Sequence, residues 1–257
     1  MERIDKRIGV ILTRIIIAIQ FLTIIIPIKI KKSYDFKDIA HSVIYFPFVG
    51  YLLGTICVII NIFLRNKLNF FIKDMIILSI MITLTGGIHL SGFVDITEDM
   101  IDSKKEHDVA RTLRGHHITA FGVIILSSLI MLKFIIFSNI NENFKNSALI
   151  IFPMLSRWAM VFGILISENH NNTSGTKIKF VDLVEKKEAF IAGIIPVIIT
   201  IFVAGLKGFV LISIMLVFTY TFIFYTIKKK YSRGRDIFGA INETVELIVL
   251  LFFAIVY

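Results

Sequence analysis

Long apolar stretches separated by short polar segments run through the whole chain. Eight of them approach the roughly 20 apolar residues that a helix needs, at about 1.5 Å per residue, to cross a bilayer. In lipid every backbone N–H and C=O group needs a partner within its own segment, so each stretch is predicted to be helical. The predicted spans cover 8–28, 42–64, 72–90, 118–138, 147–166, 189–206, 208–227 and 237–256.

The stretches 189–206 and 208–227 leave the number of spans open. Little separates them beyond Gly205, Lys207 and Gly208, so they could also form one broken element. The pattern therefore predicts an all-α, polytopic membrane bundle of seven or eight helices, in a single transmembrane domain over residues 1–257.

Composition agrees with a membrane protein. The 257 residues are 56% hydrophobic and only 18% charged, with a mean hydropathy of +0.82, whereas about a quarter of a soluble domain is charged. The single cysteine, Cys57, excludes a disulfide framework and a cysteine-rich metal site. No cleavage site follows the first residues, MERIDKR, so the first apolar stretch is interpreted as a span and not as a signal peptide.

The net charge of +9 arises between the apolar stretches, where anionic lipid head groups and topology signals account for it. We therefore expect the lipid bilayer, and no nucleic acid, as the partner of these basic residues. One side of the membrane would carry 28–41, 91–117, 167–188 and 228–236, with roughly twice as many Lys and Arg residues as the other side. The positive-inside rule predicts that this side is cytoplasmic and that both termini are outside. We expect the protein in the cell's plasma (inner) membrane, with the active-site loops 91–117, 167–188 and 228–236 facing the cytoplasm.

Acidic residues concentrate in the segments of the predicted cytoplasmic side, first in GGIHLSGFVDITEDMID over residues 86–102. If this segment continues as a helix, four carboxylates share one face: Asp95, Glu98, Asp99 and Asp102. Their repulsion favours a bound cation, and oxygen ligands without Cys favour Mg²⁺ or Mn²⁺ held together with substrate phosphate. The alternative is a solvated acidic face balanced by Lys104 and Lys105.

A second acidic stripe stands at the entry to the last predicted span, in GRDIFGAINETVE over residues 234–246. Asp236, Glu243 and Glu246 lie on one side of the predicted helix. A carboxylate at the bilayer centre costs up to about 3 kcal/mol, and less near the interface, so it is a functional candidate. The alternative roles are a helix cap for Asp236 and a carboxylate that reaches the interface for each Glu, and they fit Asp236 best.

Two cations fall inside predicted spans. Arg157 should face the bundle interior and pair there with a carboxylate or a phosphate, in a substrate site or in a structural ion pair. Lys133 is interpreted as structural. Motifs of soluble nucleotide-binding and hydrolase enzymes are missing from the sequence. The residues alone therefore indicate a membrane site able to bind a metal and a phosphate.

Six motifs follow one another over nearly the whole chain. They are FLT leading to Pro27, FPFVGYLLG from Phe46, GGIHLSGFVDITED from Gly86, LRGHHITAFG from Leu113, Pro153 to Arg157, and RDIFGAINETVE from Arg235. In order and spacing they resemble the motifs of the cobalamin 5′-phosphate synthase family, also called adenosylcobinamide-GDP ribazoletransferase.

The chain departs from the family pattern in three of these motifs. Asp99 stands where the family has Gly, and Arg114, Gly115 and His116 stand where it has Lys-Asp-Ser. Ser91, Glu98 and Gly115 stand where the family has Asp, and Arg235 stands where it has Gly. Acidic positions are thereby lost at Ser91 and Gly115. Either the metal geometry is altered and Asp99 or Asp102 compensates for the loss, or the chain is a paralogue that no longer carries out the reaction.

The resemblance implies a membrane transferase with Mg²⁺ as its cofactor. The enzyme would join adenosylcobinamide-GDP to α-ribazole or its 5′-phosphate and release GMP, the last assembly step of the cobalamin nucleotide loop. Phosphoryl transfer of this kind depends on positioning and charge neutralisation. Asp95, with Glu98 or Asp99, would hold Mg²⁺ against the diphosphate.

The resemblance also implies roles for the other matching residues. Arg157 and Arg114 would neutralise phosphate oxygens. Asp236 or Glu243 would orient or deprotonate the acceptor hydroxyl. The remaining residues expected at the substrate are His89, Gly92 and Glu246.

Two other interpretations stay open. A membrane phosphotransferase that uses a CDP-alcohol would need Ala-Arg soon after the acidic residues, and Ala110-Arg111 comes too late. A non-catalytic membrane paralogue or a transport subunit would explain the lost acidic positions. A transporter, however, should show internal repeats, and neither GGIHL nor GAINE occurs twice. An oligomer is compatible with each interpretation.

Overall fold

The computed structural model describes residues 2–25, 35–101, 119–168, 183–229 and 234–257, and these ranges contain helices and no strand. A single 3₁₀ turn, Val43–Tyr45, joins the second helix to the third. The α helices of the described residues are α1 (Glu2–Leu22), α2 (Phe36–Ser42), α3 (Phe46–Leu64), α4 (Phe70–Thr85), α5 (Ile88–Ile101), α6 (Ala120–Ser138), α7 (Glu142–Glu168), α8 (Lys186–Ala204), α9 (Leu206–Lys228) and α10 (Gly234–Val256).

Within the described ranges, six helical segments are long and apolar enough to cross a membrane, and the bent pair α4 and α5 would make a seventh. The predicted all-α membrane bundle is confirmed. The predicted span 8–28 corresponds to α1, whose apolar part, Gly9–Leu22, is shorter than a full span. The six segments are Phe36–Leu64, Ala120–Ser138, Glu142–Ser167, Lys186–Ala204, Leu206–Lys228 and Asp236–Val256.

The stretches 189–206 and 208–227 form two separate helices, α8 and α9. Gly205 between them has a φ of 59°, in the left-handed region that glycine adopts without steric cost. A Cβ atom on Gly208 would lie 2.8 Å from the Thr200 carbonyl oxygen, so α9 folds back directly against α8. The alternative of one broken element is therefore wrong.

The predicted span 72–90 is interrupted by a sharp bend. Here α4 ends at Thr85, Gly86 and Gly87 have φ values of 63° and 65°, and α5 leaves at 88° to α4. The chain after α1 supports this bend, because the Ile24 backbone N–H donates to the Leu84 carbonyl oxygen at 2.9 Å. The predicted loop 91–117 therefore begins as a helix up to Ile101, and residues 102–118 lie outside the described part of the chain.

Contacts between helix ends define the two ends of the bundle. At one end, His41 Nδ1 of α2 lies 2.8 Å from Glu188 Oε1 of α8, and the start of α10 packs on α5. At the other end, the Tyr257 hydroxyl donates to the Ala204 carbonyl oxygen at 2.9 Å and the Tyr257 ring packs against the Phe144 ring at a tilt of 33°. We call these the Asp236 end and the Tyr257 end. The described parts of the predicted cytoplasmic segments lie at the Asp236 end.

The Tyr257 end is closed by four charged side chains. Lys73 Nζ lies 2.9 Å from both carboxylate oxygens of Glu142. Lys145 Nζ lies 2.8 Å from Asp74 Oδ2 and 2.8 Å from Glu142 Oε1. Both lysines are buried, so α4 and the first turn of α7 are held together by balanced charges.

The centre of the bundle is α7, the most deeply buried of the six segments. Helix α3 approaches it through Gly50 and Gly54, the small-xxx-small pattern of close helix pairs in membranes. A Cβ atom on Gly54 would lie 2.5 Å from the Leu149 carbonyl oxygen and 2.8 Å from the Ile150 Cα. Pro153 has no N–H for that same Leu149 carbonyl, so its oxygen is available to the facing helix.

We expect Gly54→Ala to destabilise the protein by about 1–3 kcal/mol, because the added methyl group meets backbone atoms that cannot move aside. The thermal midpoint of the purified protein in detergent measures this effect. Gly9→Ala is the matched control, since a Cβ atom there meets nothing within 4 Å. Equal midpoints for the two variants would contradict the α3–α7 contact.

Candidate active site

Helices α5 and α10 meet through two glycines at the Asp236 end. A Cβ atom on Gly92 would lie 2.8 Å from the Asp236 carbonyl oxygen and 3.2 Å from the Gly239 Cα. A Cβ atom on Gly239 would lie 2.9 Å from the His89 carbonyl oxygen. The two backbones touch here, which only residues without a side chain permit.

The α5–α10 contact brings together two acidic motifs that are far apart in the sequence. Along α5 the contacts pass from His89 to Gly92 while along α10 they pass from Gly239 to Asp236, so the helices run in opposite directions here. Asp95 and Asp99 follow Gly92 by about one and two turns on α5. Both are partly exposed, as is Asp236. Carboxylates of both motifs are therefore present at one end of the bundle.

Glu98 differs from the other two carboxylates of α5. It is buried, and it accepts a hydrogen bond from the Thr119 hydroxyl. The same hydroxyl oxygen accepts from the Gly122 N–H at 2.9 Å and so caps α6. Glu98 thus joins the end of α5 to the start of α6.

No group of three or more His, Cys, Asp or Glu side chains that could hold a metal is present in the described ranges. Asp95 and Asp99 nevertheless fit a magnesium ion by their chemistry. Mg²⁺ is usually bound by one or two carboxylates together with substrate phosphates and water, and not by an all-protein cage. The spacing of four residues places these two carboxylates on one side of α5.

A buried network of charges lies deeper along α10. Lys133 Nζ of α6 lies 2.5 Å from Glu243 Oε2 and 2.6 Å from Glu246 Oε2. Arg157 Nη1 of α7 donates to Glu246 Oε1. All four side chains are more than 90% buried, and their charges balance. We call Lys133, Arg157, Glu243 and Glu246 the buried ion network.

Neutral side chains complete the buried ion network. Asn242 Nδ2 donates to Glu243 Oε1 at 3.2 Å and to Glu246 Oε1 at 3.1 Å. Arg157 Nη1 also donates to Ser156 Oγ at 2.9 Å. Within the described residues, three buried polar atoms at this level have no hydrogen-bond partner: His89 Nε2, Arg157 Nε and Asn242 Oδ1. Buried polar atoms without a partner are uncommon and indicate a place for water or a ligand.

The predicted site residues therefore fall into two layers. Asp95, Asp99 and Asp236 form a partly exposed outer layer, with Gly92 between the helices. His89, Arg157, Glu243 and Glu246 form an inner layer, and Glu243 lies seven residues, roughly 10 Å, deeper along α10 than Asp236. Arg114 lies outside the described residues.

Sequence reasoning missed the part that Lys133 plays. The signal was present, because a lysine inside a span requires a partner, and the two inward-facing glutamates of the last span were candidates. Arg157 was predicted to face the interior and to pair with a carboxylate or a phosphate, and the carboxylate alternative is confirmed.

Comparison with known proteins gives the family. The family model described as Cobalamin-5-phosphate synthase matches residues 14–254. The adenosylcobinamide-GDP ribazoletransferase of Caldanaerobacter subterraneus subsp. tengcongensis is 31% identical over 246 residues, which cover 95% of this chain and 98% of the relative. The chain belongs to the cobalamin-5-phosphate synthase family.

Further members of the cobalamin-5-phosphate synthase family match over most of their length. The adenosylcobinamide-GDP ribazoletransferase of Thermoanaerobacter sp. (strain X514) is 30% identical, covering 93% of this chain and 96% of the relative. The protein of that name from Desulforamulus reducens is also 30% identical, covering 91% and 93%. No solved structure matches the chain.

Two of the departures from the pattern of the cobalamin-5-phosphate synthase family lie on α5. Ser91 is exposed, and its hydroxyl donates to the Ile88 carbonyl oxygen of its own helix at 2.9 Å. Glu98 accepts from Thr119. Neither side chain adds a carboxylate to the outer layer, so on α5 that layer consists of Asp95 and Asp99.

We expect Gly239→Ala to separate α5 from α10, because its methyl group would meet the backbone of His89 and Gly92. The expected destabilisation is about 1–3 kcal/mol, measured as a lower thermal midpoint in detergent. Gly163→Ala is the matched control, since a Cβ atom there meets only the flexible ends of side chains. A larger fall for Gly163→Ala than for Gly239→Ala would contradict the contact.

Removal of the Arg157 charge should be costly, because Glu246 and Glu243 would then share a single buried cation. We expect Arg157→Leu to lower the free energy of unfolding by about 3–5 kcal/mol, the usual cost of breaking a buried ion pair. Denaturation in mixed detergent micelles measures it. The control is Lys187→Leu, which breaks the solvent-exposed pair with Glu185, and solvent-exposed pairs contribute little. Comparable losses in both variants would show that burial of the network is not what makes it costly to break.

Proposed function

We propose that the protein is a membrane transferase that joins adenosylcobinamide-GDP to α-ribazole or its 5′-phosphate and releases GMP. Membership of the cobalamin-5-phosphate synthase family and the names of its relatives support this activity. The observation that carries the proposal for the site is the contact of Gly92 with Asp236 and Gly239. Through it, two motifs separated by more than a hundred residues present their carboxylates at one end of the bundle.

The proposed reaction forms one P–O bond and breaks another. A hydroxyl oxygen of the ribazole attacks the phosphorus on the cobinamide side of the diphosphate, the bond to GMP breaks, and the hydroxyl proton passes to a base. Asp236 is the better candidate for this base, because it is partly exposed at the start of α10. Glu243 is buried, and both of its carboxylate oxygens already accept hydrogen bonds from Lys133 and Asn242.

Asp95 and Asp99 would hold the magnesium ion, and Glu98 would position their helix through Thr119. Bound Mg²⁺ would neutralise negative charge on the diphosphate. The carboxylates' own contribution is to fix the diphosphate beside α10, since phosphoryl transfer depends mainly on positioning and electrostatic stabilisation. The donor set fits this role with two oxygen ligands from the protein and the remainder from substrate and water.

Arg157 contributes to the site from the inner layer, beneath the carboxylates of the outer layer. Its Nη1 is bound to Glu246 and Ser156, while its Nε–H has no partner within the described residues. That N–H and His89 Nε2 are available for an oxygen of the substrate or for a bridging water. Arg114 would supply a second cation for the phosphates, as the family resemblance implies.

We further propose that the Asp236 end faces the cytoplasm. The positive-inside rule supports this orientation. A nucleotide-activated substrate in the cytoplasm would then reach the site directly. The protein would then lie in the plasma membrane with its outer carboxylate layer at the cytoplasmic surface. The alternative, a non-catalytic paralogue, rests on the departures at Ser91 and Gly115. Direct measurement of turnover separates the two.

Protein reconstituted in liposomes with Mg²⁺, adenosylcobinamide-GDP and α-ribazole should release GMP and form the joined corrinoid, both detected by mass spectrometry. Asp95→Asn should lower turnover by at least about 100-fold, by analogy with the effects of disturbing a metal site. Removal of Mg²⁺ with EDTA should have a similar effect on the unsubstituted protein.

Asp38→Asn is the control for the Asp95 variant. Asp38 pairs with Arg14 at 3.6 Å, and both side chains are partly exposed, so its loss should leave turnover unchanged. Absence of turnover in the unsubstituted protein would favour the non-catalytic paralogue. Normal turnover of Asp95→Asn would remove Asp95 from the site.

A further inference from the structure

Helix α6 directs its single charged side chain into the bundle. Met131, Leu132 and Ile135 around Lys133 are 47–62% exposed and face the surroundings of the bundle, whereas Lys133 is 7% exposed. A lysine within a membrane span is costly and commonly serves a function. The presence of a buried lysine on a helix whose other residues here face the surroundings therefore indicates a role other than packing.

Lys133 binds two residues of α10. Its ammonium group lies 2.5 Å from Glu243 Oε2 and 2.6 Å from Glu246 Oε2, which are one turn apart on α10. Asn242 donates to the other oxygen of each carboxylate, and Arg157 binds Glu246 from α7. Every oxygen of the two carboxylates thus has a donor. Glu243 and Glu246 are therefore held in fixed orientations.

Glu243 and Glu246 lie on the same side of α10 as Asp236. Seven residues separate Asp236 from Glu243, which corresponds to two turns with an offset of only about 20°. Gly239 lies between them and touches α5. The rotation of α10 about its axis is consequently fixed at two levels, by the glycine contact and by Lys133. That rotation sets the direction in which Asp236 projects.

We propose that Lys133 is a positioning residue, which acts through Glu243 and Glu246 on the rotation of α10 and thereby places Asp236 opposite the α5 carboxylates. This inference rests on the proposed function, in which Asp236 takes the hydroxyl proton. A displacement of about 1 Å in a reacting group can reduce the rate by about 100-fold. Release of α10 should therefore affect the chemical step more than substrate binding.

Lys133→Met tests the proposal, with kcat and KM for adenosylcobinamide-GDP measured in liposomes at a temperature where every variant stays folded. We expect kcat to fall by about 100-fold and KM to change by less than about threefold, the sign of a lost transition-state interaction. Lys133→Arg should recover a large part of kcat, because a guanidinium group can donate to both carboxylates. A purely structural role would lower the thermal midpoint without lowering the kcat of the folded fraction.

Two further variants keep the test decisive. Lys67→Met, on an exposed lysine above the Phe63 ring, is the matched control and should leave kcat and KM unchanged. If Lys133→Met does not fold, Lys133→Gln retains an N–H donor group without the positive charge and should lower kcat by about tenfold.

Three outcomes would overturn the proposal. The first is a normal kcat in the folded Lys133 variants, which would leave the proposed function intact. The second is a rise in KM with an unchanged kcat, because it would place Lys133 at the substrate instead. The third is absence of turnover in the unsubstituted protein, which would overturn the proposed function as well.

Discussion

Charges buried among apolar helices persist only where opposite charges meet them, and the buried ion network satisfies this requirement with side chains from three helices. Lys133 of α6 and Arg157 of α7 converge on Glu243 and Glu246 of α10. A charge alone at this depth costs several kcal/mol, so the three helices are stable in this arrangement only together. The rest of the site is built on this junction, because α10 carries Asp236 two turns above it.

Glycine contacts set how closely the helices around the buried ion network approach one another, and so fix the shape of the site. Gly92 and Gly239 let the backbones of α5 and α10 touch, and Gly50 and Gly54 bring α3 against α7 near Pro153. Ser156 links the two regions, because its hydroxyl donates to the Pro153 carbonyl oxygen at 3.2 Å and accepts from Arg157. Packing at the centre of the bundle and placement of the outer carboxylates are therefore parts of one connected structure.

The sequence predicted the helices well, but it predicted the contacts between helices less well. Apolar length identified the spans, and α5 is helical as the four-carboxylate face required. Of those four, Asp95 and Asp99 are partly exposed, Glu98 is buried, and Asp102 lies outside the described residues. The bend at Gly86 could not be foreseen, since two adjacent glycines permit a turn without requiring one. The partner of Lys133 was also hidden. Any inward carboxylate could have met it, and only the packing of α6 against α10 selects Glu243 and Glu246.

The four interlocked charges at the Tyr257 end bear on how molecules reach the interior. A carrier must open alternately to both sides of the bilayer, and each opening must part the helices that seal it. Parting α4 from α7 would break the two ion pairs that join these helices, Lys73 with Glu142 and Lys145 with Asp74. These ion pairs oppose an opening of the bundle at the Tyr257 end. Access to the buried ion network is therefore favoured from the Asp236 end, for molecules entering and leaving alike.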